Sequence, residues 1–350
     1  MVSIARAREN PQQPGLQPGP LSLPMNLTDL HGRVVSYLRL SVTDCCNLRC
    51  GYCMPPGGIT RSEQSQLLSF EELERIASIA VSLGLDKIRI TGGEPLIRRG
   101  VIPFLGRLSL LPGLNFLVLT TNGILLAELA TDLKGAGVER LNVSLDSLKP
   151  ETFSAITRGG ELAAVLRGLD AAVKAGLPHP KLNMVVMKGV NDHEVVDFAL
   201  LARERGCTVR FIEYMPAGRV EGWQSQFLPA EEILRRIADR FELRPVSDGP
   251  TAGPSRSFRF ADAPGGIGII SAVSGHFCAG CNRIRVTAQG LARSCLFADD
   301  QLDLKPLLRG TSQEELAEAL RRFVMAKPGA HRMTPHESHH TPFTMSGIGG

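Results

Sequence analysis

The chain has 350 residues and a formal net charge of only +4, with 43% hydrophobic and 21% charged residues. This composition is typical of a globular protein with one large core or two packed domains. Because no run of like charges concentrates its 39 basic residues, we do not expect it to bind nucleic acid. The longest uncharged stretches, 108–127 and 263–282, are interrupted by Pro, Gly or Asn, so we expect no membrane span. Since no signal-peptide pattern is present, the predicted location is the cytoplasm.

The first 24 residues include five prolines and three glutamines, which predicts a disordered leader. Short β-branched segments then alternate with amphipathic ones. Strands are predicted at 33–42, 87–91, 116–121, 140–145, 181–187 and 209–213, and helices at 70–83, 102–110, 125–134, 162–175 and 192–205. Ser69 and Glu72 form a capping box at the start of the first helix. This alternation predicts an α/β fold whose parallel sheet is open or curled into a partial barrel.

The pattern changes after Tyr214. A linker-like stretch (215–227), a helix (229–241) and a region rich in Gly and Pro lead to a second group of cysteines. A further helix at 312–325 precedes a tail with four histidines. The predicted division is therefore a leader at 1–24, a partial barrel at 25–215 and a smaller C-terminal domain at 216–350.

The first cysteine group follows the first strand directly. Cys46, Cys50 and Cys53 have the spacing C-x3-C-x2-C, one thiolate short of the four that fill a [4Fe–4S] cluster. A cluster held by three thiolates keeps one iron open for another ligand. A structural zinc site is the alternative, with Cys45 as fourth ligand, although adjacent cysteines rarely bind one tetrahedral ion together.

The second predicted strand ends in the sequence TGGEP, residues 91–95. Two glycines at this place allow the backbone to approach a ligand closely. Glu94 or the exposed carbonyl groups could then receive an ammonium group. An ordinary turn is the alternative for this segment taken alone.

The second cysteine group has the spacing C-x2-C-x13-C and consists of Cys278, Cys281 and Cys295. It again offers three thiolates, so a cluster here would have an open iron available to a substrate. Two zinc alternatives remain: a zinc knuckle completed by His276, and one joint site that combines two cysteines from each group.

Basic residues occur where a covered parallel strand should be almost continuously apolar. Arg39, Arg89 and Lys181 lie among apolar neighbours in three predicted strands, and a buried charge is costly unless an anion pairs with it. Arg283 and Arg285 face the same side of an extended segment and suit a polyphosphate, although such a pair is often solvated. Together they predict a site for an anionic ligand, with further polar groups from Thr120, Ser144 and Asn183.

The two motifs CNLRCGYC and GGEP, each after a strand, resemble those of radical S-adenosylmethionine (SAM) enzymes. From about residue 33 to 350 the chain resembles, more narrowly, the GTP 3′,8-cyclase family of molybdenum cofactor biosynthesis. The segments that carry this resemblance are SVTDCCNLRCGYCM, KIRITGGEPLIR, TTNG, LNVSLDSL, KLNMVVMKGVND, VRFIEYMP, FCAGCNRIRVT and the closing MSGIGG, which is similar to the family's Gly-Gly tail.

The resemblance implies a partial (βα)6 TIM-type barrel, followed by a smaller C-terminal domain that carries a second iron–sulfur cluster. It implies two [4Fe–4S] clusters, held by Cys46, Cys50 and Cys53 and by Cys278, Cys281 and Cys295. The implied SAM contacts are Tyr52, Gly93, Ser144 and Met215. The implied GTP contacts are Arg39, Arg89, Thr120, Lys181, Arg283 and Arg285.

In the implied reaction, a SAM-derived 5′-deoxyadenosyl radical removes the ribose 3′ hydrogen of GTP. The carbon radical then attacks C8 of guanine, and reduction yields (8S)-3′,8-cyclo-7,8-dihydroguanosine 5′-triphosphate. The resemblance also implies a homodimer, an electron donor protein and a downstream cyclic pyranopterin monophosphate synthase.

One residue departs from the family pattern, since Cys45 stands where the family usually has Arg. We expect this change to alter the robustness of the cluster rather than the chemistry. Two rival functions are also considered. One is a radical SAM enzyme with an auxiliary cluster that acts on a peptide or cofactor, and the other is a zinc-stabilised binding protein without catalysis.

Overall fold

A computed structural model describes residues 26–55, 57, 63–215, 222–247, 253–334 and 343–349. The predicted leader lies outside the described residues, as do parts of the predicted linker and three of the four tail histidines. Within the described ranges, we found no helix with the length and apolar character needed to span a bilayer.

Twelve strands form one sheet in the described part of the chain. The six predicted strands are its parallel centre and neighbour one another in chain order, which confirms the predicted partial barrel. The strands are β1 (Tyr37–Ser41), β2 (Lys87–Thr91), β3 (Phe116–Thr121), β4 (Arg140–Ser144), β5 (Lys181–Val186), β6 (Thr208–Glu213), β7 (Leu243–Val246), β8 (Arg256–Phe260), β9 (Gly266–Ile270), β10 (Arg283–Val286), β11 (Leu291–Arg293) and β12 (Gln301–Asp303).

The sheet order is β12-β11-β10-β1-β2-β3-β4-β5-β6-β9-β8-β7, so the barrel stays open between its end strands β12 and β7. The C-terminal strands extend both edges of the central sheet. On one side β10 pairs in parallel with β1, and on the other β9 pairs in parallel with β6. Strands β7 to β12 were not predicted. Four of them, β7, β10, β11 and β12, have only three or four residues, while β8 and β9 are interrupted by Arg or Gly.

Ten α-helices are described: α1 (Phe70–Ser82), α2 (Val101–Ser109), α3 (Leu126–Gly135), α4 (Pro150–Thr157), α5 (Leu162–Lys174), α6 (Val195–Arg205), α7 (Ala230–Ala238), α8 (Lys305–Gly310), α9 (Gln313–Met325) and α10 (Met345–Ile348). The predicted capping box is confirmed, because Ser69 accepts from the backbone of Glu72 and the Glu72 carboxylate accepts from that of Ser69. Sequence reasoning missed α4, a short helix with Pro150 in its first turn.

The two faces of the central strands differ in polarity, and this difference positions the site. In β1, Leu38 and Leu40 are fully buried within the main hydrophobic core, which includes apolar residues of α1, α2, α3, α5 and α6. Arg39, between them, points to the opposite face because side chains alternate along a strand. The inside of the open barrel is therefore polar, while its outside forms the core.

Candidate active site

A cavity of about 450 Å³ lies inside the open barrel. It is lined by all six predicted GTP contacts and by three of the four predicted SAM contacts, Tyr52, Ser144 and Met215. The three cysteines of the second group also line it. The first group and Gly93 are not part of the lining, but Tyr52 lies between Cys50 and Cys53 in the chain, so that group adjoins the cavity.

The register of the parallel strands brings the arginines together. Arg39 lies opposite Arg89 on β2 and opposite Arg285 on β10. The row two residues earlier contains Lys87 and Arg283. Because like charges directly opposite each other in a sheet are destabilising, this arrangement is suited to an anion that neutralises them.

Several buried polar atoms of the cavity have no hydrogen-bond partner among the described residues. They include three guanidinium nitrogens, a hydroxyl and an amide oxygen: Arg39 Nε, Arg89 Nε, Arg285 Nη1, Thr120 Oγ1 and Asn183 Oδ1. An unpaired buried donor costs about 1–3 kcal/mol, and more when the group is charged. The three guanidinium nitrogens and the Thr120 hydroxyl can donate to the acceptor oxygens of a phosphorylated ligand, whereas the Asn183 oxygen can only accept from one of its N–H or O–H groups.

The basic residues of the cavity lower one another's pKa values, as two of them illustrate. Burial, together with Arg210 and Arg140, lowers the pKa of Lys181 to about 8. Burial and the adjacent Arg283 lower the pKa of Arg285 to about 10. In both cases the charged form is disfavoured in the folded protein, and a bound anion would reverse this effect.

Three basic residues of the cavity were not among the predicted contacts: Lys87, Arg140 and Arg210. With them, eight basic residues line the described cavity against one aspartate, Asp146. Arg210 donates to the side-chain oxygen of Asn142 at 3.0 Å. The signal was present in the sequence, because Lys87 and Arg210 alternate with apolar residues as Arg39 does.

The first cysteine group lies on the loop after β1, as predicted. The backbone N–H groups of Cys53 and Met54 both donate to the carbonyl of Cys50, at 3.0 and 3.2 Å, and form a tight turn. The Cys46 Sγ accepts from the backbone of Leu48 at 3.4 Å. Burial raises the pKa of the Cys53 thiol to about 12, so a metal must displace its proton on binding.

The GGEP segment packs directly against this cysteine loop. A Cβ atom on Gly93 would lie 2.2 Å from the carbonyl oxygen of Cys45, so only glycine fits there. The Glu94 carboxylate accepts from the Leu96 and Asn122 backbones and from the Thr121 hydroxyl. Burial raises the pKa of Glu94 to about 7. The Glu94 carboxylate therefore links the ends of β2 and β3 by hydrogen bonds. From the sequence, Glu94 had been one of the groups that could receive an ammonium group.

Tyr52 is fixed at the edge of the cavity by Asp146. The Tyr52 hydroxyl donates to Asp146 Oδ2 at 2.8 Å, while Oδ1 accepts from the backbone of Val185. Burial raises the pKa of Tyr52 well above its usual value, and the Asp146 charge adds to this effect. The phenol thus stays protonated and keeps one orientation beside the cysteine loop.

The cysteines of the second group lie in the wall of the cavity itself. The backbone N–H of Cys281 donates to the Cys278 carbonyl at 3.1 Å, which closes a turn like that of the first group. Burial alone would raise the pKa of Cys281, but Arg283 and Lys327 lower it to about 7. This thiol therefore gives up its proton more readily than those of the first group.

The spacing of the thiols distinguishes a cluster from a single ion. Four thiolates on one tetrahedral zinc ion lie about 3.8 Å apart, given Zn–S bonds of about 2.3 Å. Neither triad has all three Sγ atoms within 4.8 Å of one another. A four-iron cluster binds each thiolate through a different iron, so both triads fit it better than they fit one zinc ion.

One mixed set does lie close together. Ligand atoms of His276, Cys278 and His331 are within 4.8 Å of one another, near the zinc alternative that the sequence had left open. The imidazoles are already engaged with the backbone of Met333, since His276 Nε2 lies 2.8 Å from its carbonyl oxygen and His331 Nδ1 accepts from its N–H. The two rings also contact each other at a tilt of 47°, with their centroids 4.2 Å apart.

The C-terminal residues reach both parts of the site. Met345 lines the cavity, and its backbone N–H donates to the Cys53 carbonyl at 3.2 Å. The Gly349 carbonyl accepts from Arg39 Nη2 at 3.4 Å. Gly349, with a φ of 80°, is the first glycine of the predicted Gly-Gly tail, while Gly350 lies outside the described residues.

Comparison with known proteins identifies two families along the chain. Residues 40–202 match the Radical SAM superfamily, and residues 207–333 match Molybdenum Cofactor Synthesis C. Among solved structures, SuiB of Streptococcus suis bound to S-adenosylmethionine is similar with a TM-score of 0.56. It is 16% identical, and the match covers 84% of this chain and 69% of that one, so the likeness concerns the fold alone.

Curated relatives match at much higher identity. GTP 3′,8-cyclase of Geobacter sulfurreducens is 58% identical over 326 residues, which is 93% of this chain and all of the relative. The enzyme of the same name from Moorella thermoacetica is 44% identical over 325 residues, with the same coverage. The chain belongs to the GTP 3′,8-cyclase family, within the radical SAM superfamily.

Proposed function

We propose that this protein is a GTP 3′,8-cyclase, which uses a SAM-derived 5′-deoxyadenosyl radical to convert GTP to (8S)-3′,8-cyclo-7,8-dihydroguanosine 5′-triphosphate. This is the first step of molybdenum cofactor biosynthesis. The observation that carries the proposal is one cavity that combines eight basic side chains with the second cysteine triad and adjoins the first. A structural zinc protein would have no need for such a charged interior.

The cysteine residues would hold two [4Fe–4S] clusters, the first by Cys46, Cys50 and Cys53 and the second by Cys278, Cys281 and Cys295. When bound, the clusters supply the electron for the cleavage of SAM and an open iron for the substrate. Tyr52, Ser144 and Met215 would contact SAM from the cavity wall, while Gly93 keeps the GGEP segment close to the cysteine loop.

The triphosphate would bind in the rows of basic residues. Arg39, Arg89 and Arg285 lie side by side on adjacent strands, and each has a guanidinium nitrogen without a partner among the residues that the structure describes. Arg283 and Lys181 add charge, and Thr120 adds a hydroxyl. Charge-assisted hydrogen bonds from several strands would fix the nucleotide, so that its ribose C3′ and guanine C8 stay near each other during the reaction.

Exclusion of water and oxygen is the second task of the chain's own residues. The C-terminal segment supports it, since Met345 lines the cavity and Gly349 contacts Arg39. A homodimer, an electron donor protein, the downstream synthase and a cytoplasmic location are further parts of the proposal.

The test is formation of 5′-deoxyadenosine by anaerobically reconstituted protein with dithionite and SAM, with and without GTP. We expect strong stimulation by GTP and a matching amount of the cyclised nucleotide. Cleavage of SAM that is indifferent to GTP would contradict the proposed substrate and favour a peptide- or cofactor-modifying enzyme. Metal analysis provides the second check, because zinc without inorganic sulfide would support the binding protein instead.

A further inference from the structure

Lys327 is a buried lysine beside the second cysteine group. It follows α9 and is only 2% exposed. Its Nζ donates to the carbonyl of Arg283 at 3.0 Å and to the carbonyl of Ser294. Neither acceptor is an acid, so both hydrogen bonds leave the positive charge of the ammonium in place.

No carboxylate balances this charge. Among the described residues, Lys327 forms no ion pair, whereas Arg33, another buried cation near these cysteines, lies 2.6 Å from Asp29. Lysine is almost never fully buried without a partner, because the desolvation of an ammonium group costs several kcal/mol. The position of Lys327 therefore indicates a negative group that binds nearby.

The two carbonyls that Lys327 contacts belong to the segments that carry the cysteines. Ser294 directly precedes Cys295, and Arg283 follows Cys281 by two residues. The third segment is linked as well, because Arg33 donates both to the carbonyl of Cys278, at 2.8 Å, and to the carbonyl after Lys327. Lys327 and Arg33 thus connect all three parts of the cysteine site.

We propose that Lys327 is a positioning residue that supplies the compensating positive charge for the cluster at Cys278, Cys281 and Cys295, and so raises its reduction potential. The inference rests on the proposed function only in requiring that a cluster binds there. Three thiolates give the oxidised cluster a net negative charge, and each one-electron reduction adds another. A fixed ammonium nearby stabilises the reduced form more than the oxidised one.

The replacement Lys327→Gln separates the charge from the hydrogen bonds. Glutamine retains N–H groups that can donate to the two carbonyls, but it is neutral. Lys327→Met removes both the charge and the donors. Lys305→Gln is the matched control, because Lys305 also donates to a backbone carbonyl, that of Gln66, but is exposed and outside the cysteine site.

The measurement is a dithionite titration followed by electron paramagnetic resonance, on the full chain with the first triad replaced by alanine. Only the second cluster then contributes to the signal. For Lys327→Gln we expect the ratio of reduced to oxidised cluster at a fixed potential to fall about tenfold, equivalent to about 59 mV for a one-electron couple. For Lys327→Met we expect this ratio to fall at least as far, together with a lower iron content. For Lys305→Gln we expect the same ratio as for the parent.

Two results would overturn the inference while leaving the proposed function intact. One is that Lys327→Gln has a normal iron content and a ratio of reduced to oxidised cluster within twofold of that of the parent. The other is loss of far-ultraviolet circular dichroism along with the cluster, which would make Lys327 a core residue of the apoprotein. If the unchanged chain itself binds only one cluster on reconstitution, the proposed function fails together with the inference.

Discussion

Replacement of Arg285 by glutamine should have opposite effects on nucleotide binding and on stability. Arg285 is buried between charged neighbours, and its pKa falls from 12.5 to about 10. At about 1.36 kcal/mol for each pKa unit, the folded protein carries about 3 kcal/mol of unfavourable free energy in this charge. The neutral variant loses this penalty, so in the absence of ligand it should melt at a higher temperature than the parent.

The same variant should bind GTP more weakly. Arg285 Nη1 has no partner among the described residues, and a hydrogen bond to a charged group contributes about 1.5–3 kcal/mol. We therefore expect the dissociation constant for GTP to rise about 10- to 100-fold, measured by anaerobic calorimetry, with binding of SAM almost unchanged.

The control for this experiment is Arg293→Gln on the next strand. Arg293 lies opposite Arg285 in the sheet and is also buried, but it donates to the carbonyl of Ala298 and does not line the cavity. Its replacement should leave GTP affinity near that of the parent, because its side chain does not line the cavity. The reasoning is refuted if Arg285→Gln melts lower than the parent and binds GTP equally well.

Two further predictions concern Lys181 and the GGEP segment. Because the pKa of Lys181 is lowered to about 8, the unfolded chain binds more protons there between pH 8 and 10.5. This residue's contribution to the free energy of unfolding should therefore rise with pH in that window, and GTP affinity should fall. Comparison with Lys181→Met isolates both effects, and parallel pH profiles of the two proteins would argue against them. Gly93→Ala should prevent binding of the first cluster, because the added Cβ would lie 2.2 Å from the Cys45 carbonyl oxygen. The iron content per chain should therefore fall to about half. Gly310→Ala, whose Cβ meets nothing within 4 Å, should retain the full iron content.

Sequence reasoning recovered the central part of the fold because it depends on local patterns. Short β-branched segments between amphipathic helical ones marked β1 to β6, and Ser69 with Glu72 marked the start of α1. It also predicted that Arg39 contributes to an anion site, since a charged residue in an apolar strand is costly unless an anion pairs with it. Strands β7, β10, β11 and β12 have only three or four residues, and β8 and β9 are interrupted by Arg or Gly, so these six strands were missed.

The role of Glu94 shows a different limit. Its position after two glycines was compatible with a ligand contact, but its carboxylate accepts from the ends of β2 and β3. Two of its three partners, Thr121 and Asn122, belong to a segment distant in the chain. No local sequence pattern predicts these partners, and only the packed structure shows which groups donate hydrogen bonds to the Glu94 carboxylate.

The sequence by itself determined which metal ligands this protein offers, because the type and spacing of the cysteines are local properties of the segments CNLRCGYC and FCAGC. The tertiary structure alone decided how the charges meet. Arg39, Arg89 and Arg285 are far apart in the chain, and only the pairing of β10 with β1 and of β1 with β2 brings them into one row. Strand register is a long-range outcome of packing, and it turns scattered basic residues into a single site for an anion.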